Sequence, residues 1–257
     1  MKSVPAVLII LFLSSCMAAR KTAISSQKTL FQYGVIDGLL AGAFDGNLDV
    51  HYLIREGDFG IGTFNKGDGE LIALGPSVYK VKFDGKVIKD PVDSTPFAAV
   101  TKFIPDTVFS ISSISGYDSL QRYLKQVLNL NSMYAIKLSG SFDSMTMRAI
   151  APATKPYPTL TELVLSGQQL FHYEKLAGDC IGFFIPDYLG RVNVPGFHFH
   201  FLSDDRTKGG HVFDLHGENI KVSVQELGSV VLRTNTNRSY MDLNSRKDRS
   251  MELKKIE

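Results

Sequence analysis

The sequence predicts an α+β fold made of two strand-rich subdomains with mostly antiparallel or mixed sheets. Three observations carry this. Residues 197–202 alternate strictly between phenylalanine and polar or aliphatic side chains, the period of a β-strand. From Gly57 onward, short apolar runs are punctuated by glycine turns, as in Gly57-Asp58-Phe59-Gly60-Ile61-Gly62-Thr63-Phe64. Helical spacing, by contrast, is confined to a few stretches, and there is no solenoid repeat.

Residues 1–19 read as a signal peptide. Lys2 precedes an apolar run over residues 4–13, too short to span a bilayer and of the right length for an export-signal core. Leu13-Ser14-Ser15-Cys16 resembles a bacterial lipobox, which makes Cys16 a candidate lipid anchor. Ala18-Ala19 offers ordinary cleavage, and a buried N-terminal helix is the bland alternative. The expectation is an exported protein, periplasmic or held at a membrane as a lipoprotein.

Residues 20–28 form a polar tether, 29–130 the first subdomain and 131–257 the second. Residues 29–46 predict a short strand and a short helix joined at glycines. Strands are expected over 57–64, 70–74, 77–83, 98–103 and 108–114. Tyr117, Leu120, Leu124, Val127 and Leu128 recur at helical spacing, so 116–129 is an amphipathic helix that ends the first subdomain. Residues 133–140 and 145–150 then read as paired strands, 159–168 as a helix, and 179–186, 196–202, 211–215 and 220–232 as strands. The charged tail from Leu243 ends in a last helical turn or strand.

With 44% hydrophobic and 21% charged residues, the 257-residue chain has enough apolar material for a substantial core. A net charge of +2, with the basic residues dispersed among acids, gives no nucleic-acid footprint. Cys16 and Cys180 are the two cysteines. If Cys16 is lipidated or removed, no intrachain disulfide can form, and Cys180 reads as a small core residue.

Within 197–202 the alternation puts His198, His200 and Leu202 on one face and Phe197, Phe199 and Phe201 on the other. A polar loop over 203–208 and the pair Gly209-Gly210 predict a return strand that brings His211 beside the first two histidines. Three neutral imidazoles from adjacent strands match the ligand count of a catalytic zinc or similar divalent site with an open position. A lone strand histidine is usually a surface or hydrogen-bonded residue; the third histidine shifts the balance toward a metal. His216, five residues past His211, falls on the opposite strand face.

Three further residues stand out by their setting. Glu70 begins an apolar strand after Asp68-Gly69, where an acid is unexpected without a partner, although a solvated turn position explains it equally well. Arg148 shares a strand face with Thr146 and Ile150; it is either an edge charge or a planar donor for a carboxylate. Thr63 is a candidate hydrogen-bonding hydroxyl or simply a residue that favours strands.

The run from Gly196 to Val212 resembles the signature of the α-acetolactate decarboxylases. So does Gly57-Asp58-Phe59-Gly60-Ile61-Gly62-Thr63-Phe64-Asn65 followed by Asp68-Gly69-Glu70-Leu71-Ile72, and Tyr134, Gly140, Arg148, Lys155 and Gln168 fall in the family's order. The similarity covers roughly residue 29 to the C-terminus. It implies decarboxylation of 2-acetolactate, a small 2-hydroxy-3-oxo acid, to acetoin and carbon dioxide, with Zn2+ or another divalent ion as Lewis acid stabilising an enediolate. It implies His198, His200 and His211 as metal ligands, and Thr63, Glu70 and Arg148 in the substrate pocket. A C-terminal glutamate is best matched by Glu257, with Glu252 as fallback. Glu257 is the first candidate for the proton donor and Glu70 the second. The resemblance also implies a homodimer. Three departures are Glu257 as the last residue of the sequence, whose α-carboxylate competes with its side chain, Lys66-Gly67, where the family usually has a Leu-Asp turn, and the lipobox.

Two other classes compete. In a cupin-like non-haem iron dioxygenase, Asp205 would have to stand in for the expected glutamate, and the glycine-rich strand spacings are missing. A non-catalytic metal-binding lipoprotein predicts that Glu70, Arg148 and Glu257 do not gather around the histidines.

Overall fold

The computed structural model describes residues 28–244 and 246–256. The signal peptide and Cys16 anchor, all but the last residue of the tether, and Glu257 lie outside the described residues. In chain order the first part runs β1 (Thr29–Tyr33), α1 (Ile36–Leu40), β2 (Leu48–Asp49), α2 (Val50–Glu56), β3 (Phe59–Thr63), β4 (Glu70–Leu74), β5 (Ser77–Val81), β6 (Val87–Lys89), β7 (Ser94–Thr95), β8 (Phe97–Thr101), β9 (Thr107–Ser115) and α3 (Tyr117–Val127). The remainder runs β10 (Met133–Ile150), α4 (Leu160–Gly167), β11 (Gln168–Ile185), β12 (Gly196–Ser203), β13 (Gly209–Leu227), β14 (Ser229–Arg233), α5 (Arg238–Met241) and α6 (Ser250–Leu253).

Two main sheets result. The first has the order β14-β1-β8-β3-β4-β5-β6, antiparallel except where β14 lies parallel to β1. In the second, β10, β11, β12 and β13 pair in antiparallel succession; β13 pairs back with β10 to close a ring, and β9 adds to its outside edge. The sheets interleave along the chain, since β9 precedes residue 130 and joins the second while β14 follows it and joins the first.

Alternation decides what each face meets. Phe197, Phe199 and Phe201 join a core inside the ring with Phe142, Met145, Met147, Val212 and Leu215. Leu202, Ile181 and Phe183 point the other way and pack on Phe59, Ile61, Ile72 and Val81 of the first sheet. Because His198 and His200 share the face of Leu202, they are turned into the seam between ring and sheet.

Several element boundaries differ from the sequence reading. Residues 133–140 and 145–150 are not two paired strands but one strand, β10, whose partners are β11 and β13. The small polar stretch between them, which reads as a turn, lies at register shifts between Ser139 and Phe142 and between Phe142 and Ser144, where the strand bends without ending. The same applies to β13, continuous through Gly217-Glu218-Asn219 with Asn219 at φ 52°. β11 begins eleven residues before the expected 179, because its half-exposed start lacks a continuous apolar signal. Helix α2, capped where Asp49 accepts from the His51 amide at 2.8 Å, has no counterpart in the reading.

Candidate active site

The histidines arrive by register. β12 and β13 pair His200 directly with His211, Phe201 with Gly210 and Leu202 with Gly209. The return itself is made by residues 204–208. There the Ser203 hydroxyl donates to the Asp205 carboxylate at 2.6 Å, and Arg206 takes φ 60°. The two glycines serve a different purpose from the turn expected of them. A Cβ on Gly210 would sit 2.7 Å from the Arg148 carbonyl oxygen, and one on Gly209 would sit 2.7 Å from that of Phe201 and 2.9 Å from Val81. They let β13 approach both neighbouring strands and the first sheet.

The His198 Nε2 and His211 Nδ1 lie 3.0 Å apart, and the ligand atoms of all three histidines lie within 4.8 Å of one another. This is the one group of metal-competent side chains of this kind among the described residues. The His200 Nδ1 lies 3.0 Å from the Leu71 carbonyl oxygen on β4. A carbonyl accepts only, so Nδ1 carries the hydrogen and Nε2 presents its lone pair, as the partner of a metal-binding imidazole commonly arranges.

The same Nε2 lies 3.4 Å from Glu70 Oε2. Burial, the neighbouring imidazole of His198 and the Arg148 guanidinium hold His200 well below its ordinary range, so this is not a conventional ion pair. A lone pair facing a carboxylate oxygen calls for a proton or a cation near both. Burial, then the Arg148 charge, pushes His198 down to about 3. His211 is likewise held well below its usual value, by burial first and then by Arg148 and the other two imidazoles. Three neutral nitrogens with one buried carboxylate form a donor set that suits a divalent ion.

Arg148 is 5% exposed and lies opposite Leu170 on one side and His211 on the other. Its Nη1 donates to the Ile256 carbonyl at 2.7 Å, its guanidinium lies 4.9 Å from the centre of the Phe213 ring, and its Nε is buried without a hydrogen-bond partner among the described residues. Thr63 and Glu70 face each other across the β3–β4 pair. The Thr63 hydroxyl donates to the Gly69 carbonyl at 2.8 Å, holding the turn that delivers Glu70.

Thr63, Glu70, Arg148, His198, His200 and His211 all line one small cavity of about 50 Å³. Of the residues singled out in the sequence, six are therefore gathered and Glu257 lies outside the described residues. Glu252 is on α6, with Oε1 paired to Lys247 at 2.7 Å. His216 is in a separate contact with Asp214 at 3.2 Å. Asp205 is committed to its own loop. The sequence reading missed Phe213 and the carbonyls of Leu71 and Ile256. The carbonyls have no side-chain signal, while Phe213 could have been found from its place two residues after His211.

A family model described as Alpha-acetolactate decarboxylase matches residues 30–246. Among curated relatives, the Alpha-acetolactate decarboxylase of Brevibacillus brevis is 38% identical over 203 residues, covering 78% of this chain and 71% of that protein. The Alpha-acetolactate decarboxylase of Methanosarcina mazei is 41% identical over 200 residues, covering 76% and 68%. The crystal structure of alpha-acetolactate decarboxylase from Bacillus subtilis strain 168 is similar with a TM-score of 0.85 at 30% identity, covering 89% of this chain and 99% of that one.

Proposed function

This chain belongs to the alpha-acetolactate decarboxylase family and is a carboxy-lyase that converts 2-acetolactate to acetoin and carbon dioxide, and we propose that His198, His200 and His211 hold the divalent metal its reaction uses. The convergence of three neutral imidazoles with Glu70 and Arg148 in one buried cavity carries this reading. Zinc is the metal we assign, because an all-nitrogen triad with an open position suits it.

An ion held by these three histidines would supply Lewis acidity to the substrate. The protein's own groups do the rest. Arg148 orients the substrate carboxylate so that its bond to the neighbouring carbon can break, a positioning effect that planar, two-point contact serves well. The low dielectric around the buried Arg148 strengthens that contact. Thr63 fixes the turn before Glu70 through its hydroxyl bond to the Gly69 carbonyl. Loss of carbon dioxide leaves electron density on the former α-carbon, which a carboxylic acid must protonate from one face to give a single acetoin enantiomer. Glu257 is the residue we assign to that step, and Glu70 the second choice. Supporting Glu257 is the grip of Arg148 on the carbonyl of Ile256, the residue to which it is joined.

Export, with a lipid anchor at Cys16, belongs to the same proposal and rests on the apolar run and lipobox in the sequence; Cys16→Ser should release the protein from the membrane fraction. A homodimer is also inferred, supported by the family resemblance, and is tested by sedimentation. For the site itself, metal analysis of purified protein and of His200→Ala is the direct test. About one equivalent in the first and loss in the second are expected.

A further inference from the structure

The cavity has two chemically different halves. The polar half carries the three histidines, Thr63, Glu70 and Arg148, the groups assigned above to the oxygens of a 2-hydroxy-3-oxo acid. The other half is apolar, and two short helices supply four of its eight apolar side chains, with Phe44, Phe97, Ile150 and Val194 completing it. α1 contributes Ile36 and Leu39, three residues apart, and α4 contributes Leu160 and Val164, four apart. Each spacing places its pair on a single helix face. A 2-hydroxy-3-oxo acid is two-sided in the same sense, with its oxygens along one edge and its alkyl groups along the other.

The two helices are not held equally. α1 has no side-chain cap. α4 begins with a reciprocal cap, in which the Thr159 hydroxyl accepts from the Glu162 amide at 3.2 Å and the Glu162 carboxylate accepts from the Thr159 amide at 2.8 Å. Beneath it, Leu163 is buried in one apolar cluster with Leu39, Phe44 and Ile150. Leu160, Leu163 and Val164 are all buried. A wall fixed this way does not retreat to admit a larger group, and in a space of about 50 Å³ a single methylene is felt.

Resting on the placement of substrate oxygens toward the histidines and Arg148, we propose that Leu160 and Val164 set the size of alkyl substituent that the enzyme accepts at the carbinol carbon. The methyl of 2-acetolactate meets this wall, and the ethyl of its next homologue presses against it. One methylene in an apolar pocket discriminates by about 10–200-fold, and that factor resides in α4.

The test compares kcat/KM for carbon dioxide release from racemic 2-acetolactate and from its 2-ethyl homologue, with metal content and melting temperature measured for every variant. Val164→Ala should move the ratio toward the ethyl substrate by about tenfold. Val164→Ile should move it the other way, and Leu160→Val should relax it. If Val164→Ala does not fold, the other two variants decide alone. A ratio constant to within about twofold across Val164→Ile and Leu160→Val, at full metal content, overturns the inference, whether or not both rates fall together. Failure of the unsubstituted protein to release carbon dioxide from either substrate would instead overturn the placement on which the inference rests.

Discussion

Arg148 Nη1 donates to the main-chain carbonyl of Ile256 across 2.7 Å, although the two residues are 108 positions apart in the chain. The bond ties the end of the described chain to the residue that also faces His211 across β10 and β13. Leu253 and Ile256 reinforce it by packing with Ile36, Leu39, Phe44 and Val164, the apolar residues around the cavity.

From that bond comes the first prediction. Arg148→Lys keeps a charge but loses the planar two-point contact, so KM for acetolactate should rise while acetoin stays a single enantiomer. Glu257→Gln cannot deliver a proton and should lower kcat by about 10²–10⁴-fold, with residual acetoin closer to racemic. Steady-state kinetics with chiral chromatography separates the two. Normal turnover in Glu257→Gln would move the proton donor to Glu70.

His216 provides the control for the metal. His198→Ala, His200→Ala and His211→Ala should each lose the ion, whereas His216→Ala should keep it, because His216 is engaged with Asp214 outside the triad. Elemental analysis after dialysis reads the outcome. Metal loss in His216→Ala with retention in His211→Ala would contradict the observed register.

The depressed histidines make the metal-free protein acid-sensitive. An unfolded imidazole titrates near about 6.5, but His198 in the fold titrates at about 3. Between those values the unfolded chain binds more protons, so the contribution is fully present above about 6.5 and is lost as pH falls toward 3. Thermal melts of chelated protein should therefore drop from pH 7 to pH 5, and His198→Gln should flatten the slope. Metal should raise the melting temperature most at the neutral end, since its ligands bind as neutral imidazoles.

Lys80 is a structural test. Its side chain is 7% exposed, and its Nζ lies 2.6 Å from Asp68 and 2.8 Å from Asp93, over the Phe64 ring. Lys80→Met leaves two part-buried carboxylates facing each other and should cost about 3 kcal/mol, the low end for breaking such a cluster. Urea unfolding measures it. An unchanged midpoint would show that the Lys80 cluster adds no net stability to a turn already held by the Thr63 hydroxyl and its own backbone bonds.

How far the sequence disclosed this site depended on distance along the chain. The triad was legible because alternation within six residues and a short return fix which side chains share a face. Glu70 and Arg148 were visible as charges out of place in apolar strands, yet their meeting depends on packing the ring against the first sheet, which no local pattern encodes. The breaks read into β10 and β13 were bulges. A polar, glycine-containing stretch looks the same whether the strand ends or merely bends, and only pairing on both sides distinguishes the two.

The most direct measurement is acetoin formed from racemic 2-acetolactate by the purified protein, before chelation, after it, and after adding back zinc. Acetoin is expected at the start, with loss on adding the chelator and recovery with zinc in the unsubstituted protein but not in His200→Ala. Undiminished acetoin formation from protein shown by elemental analysis to be metal-free would contradict this expectation.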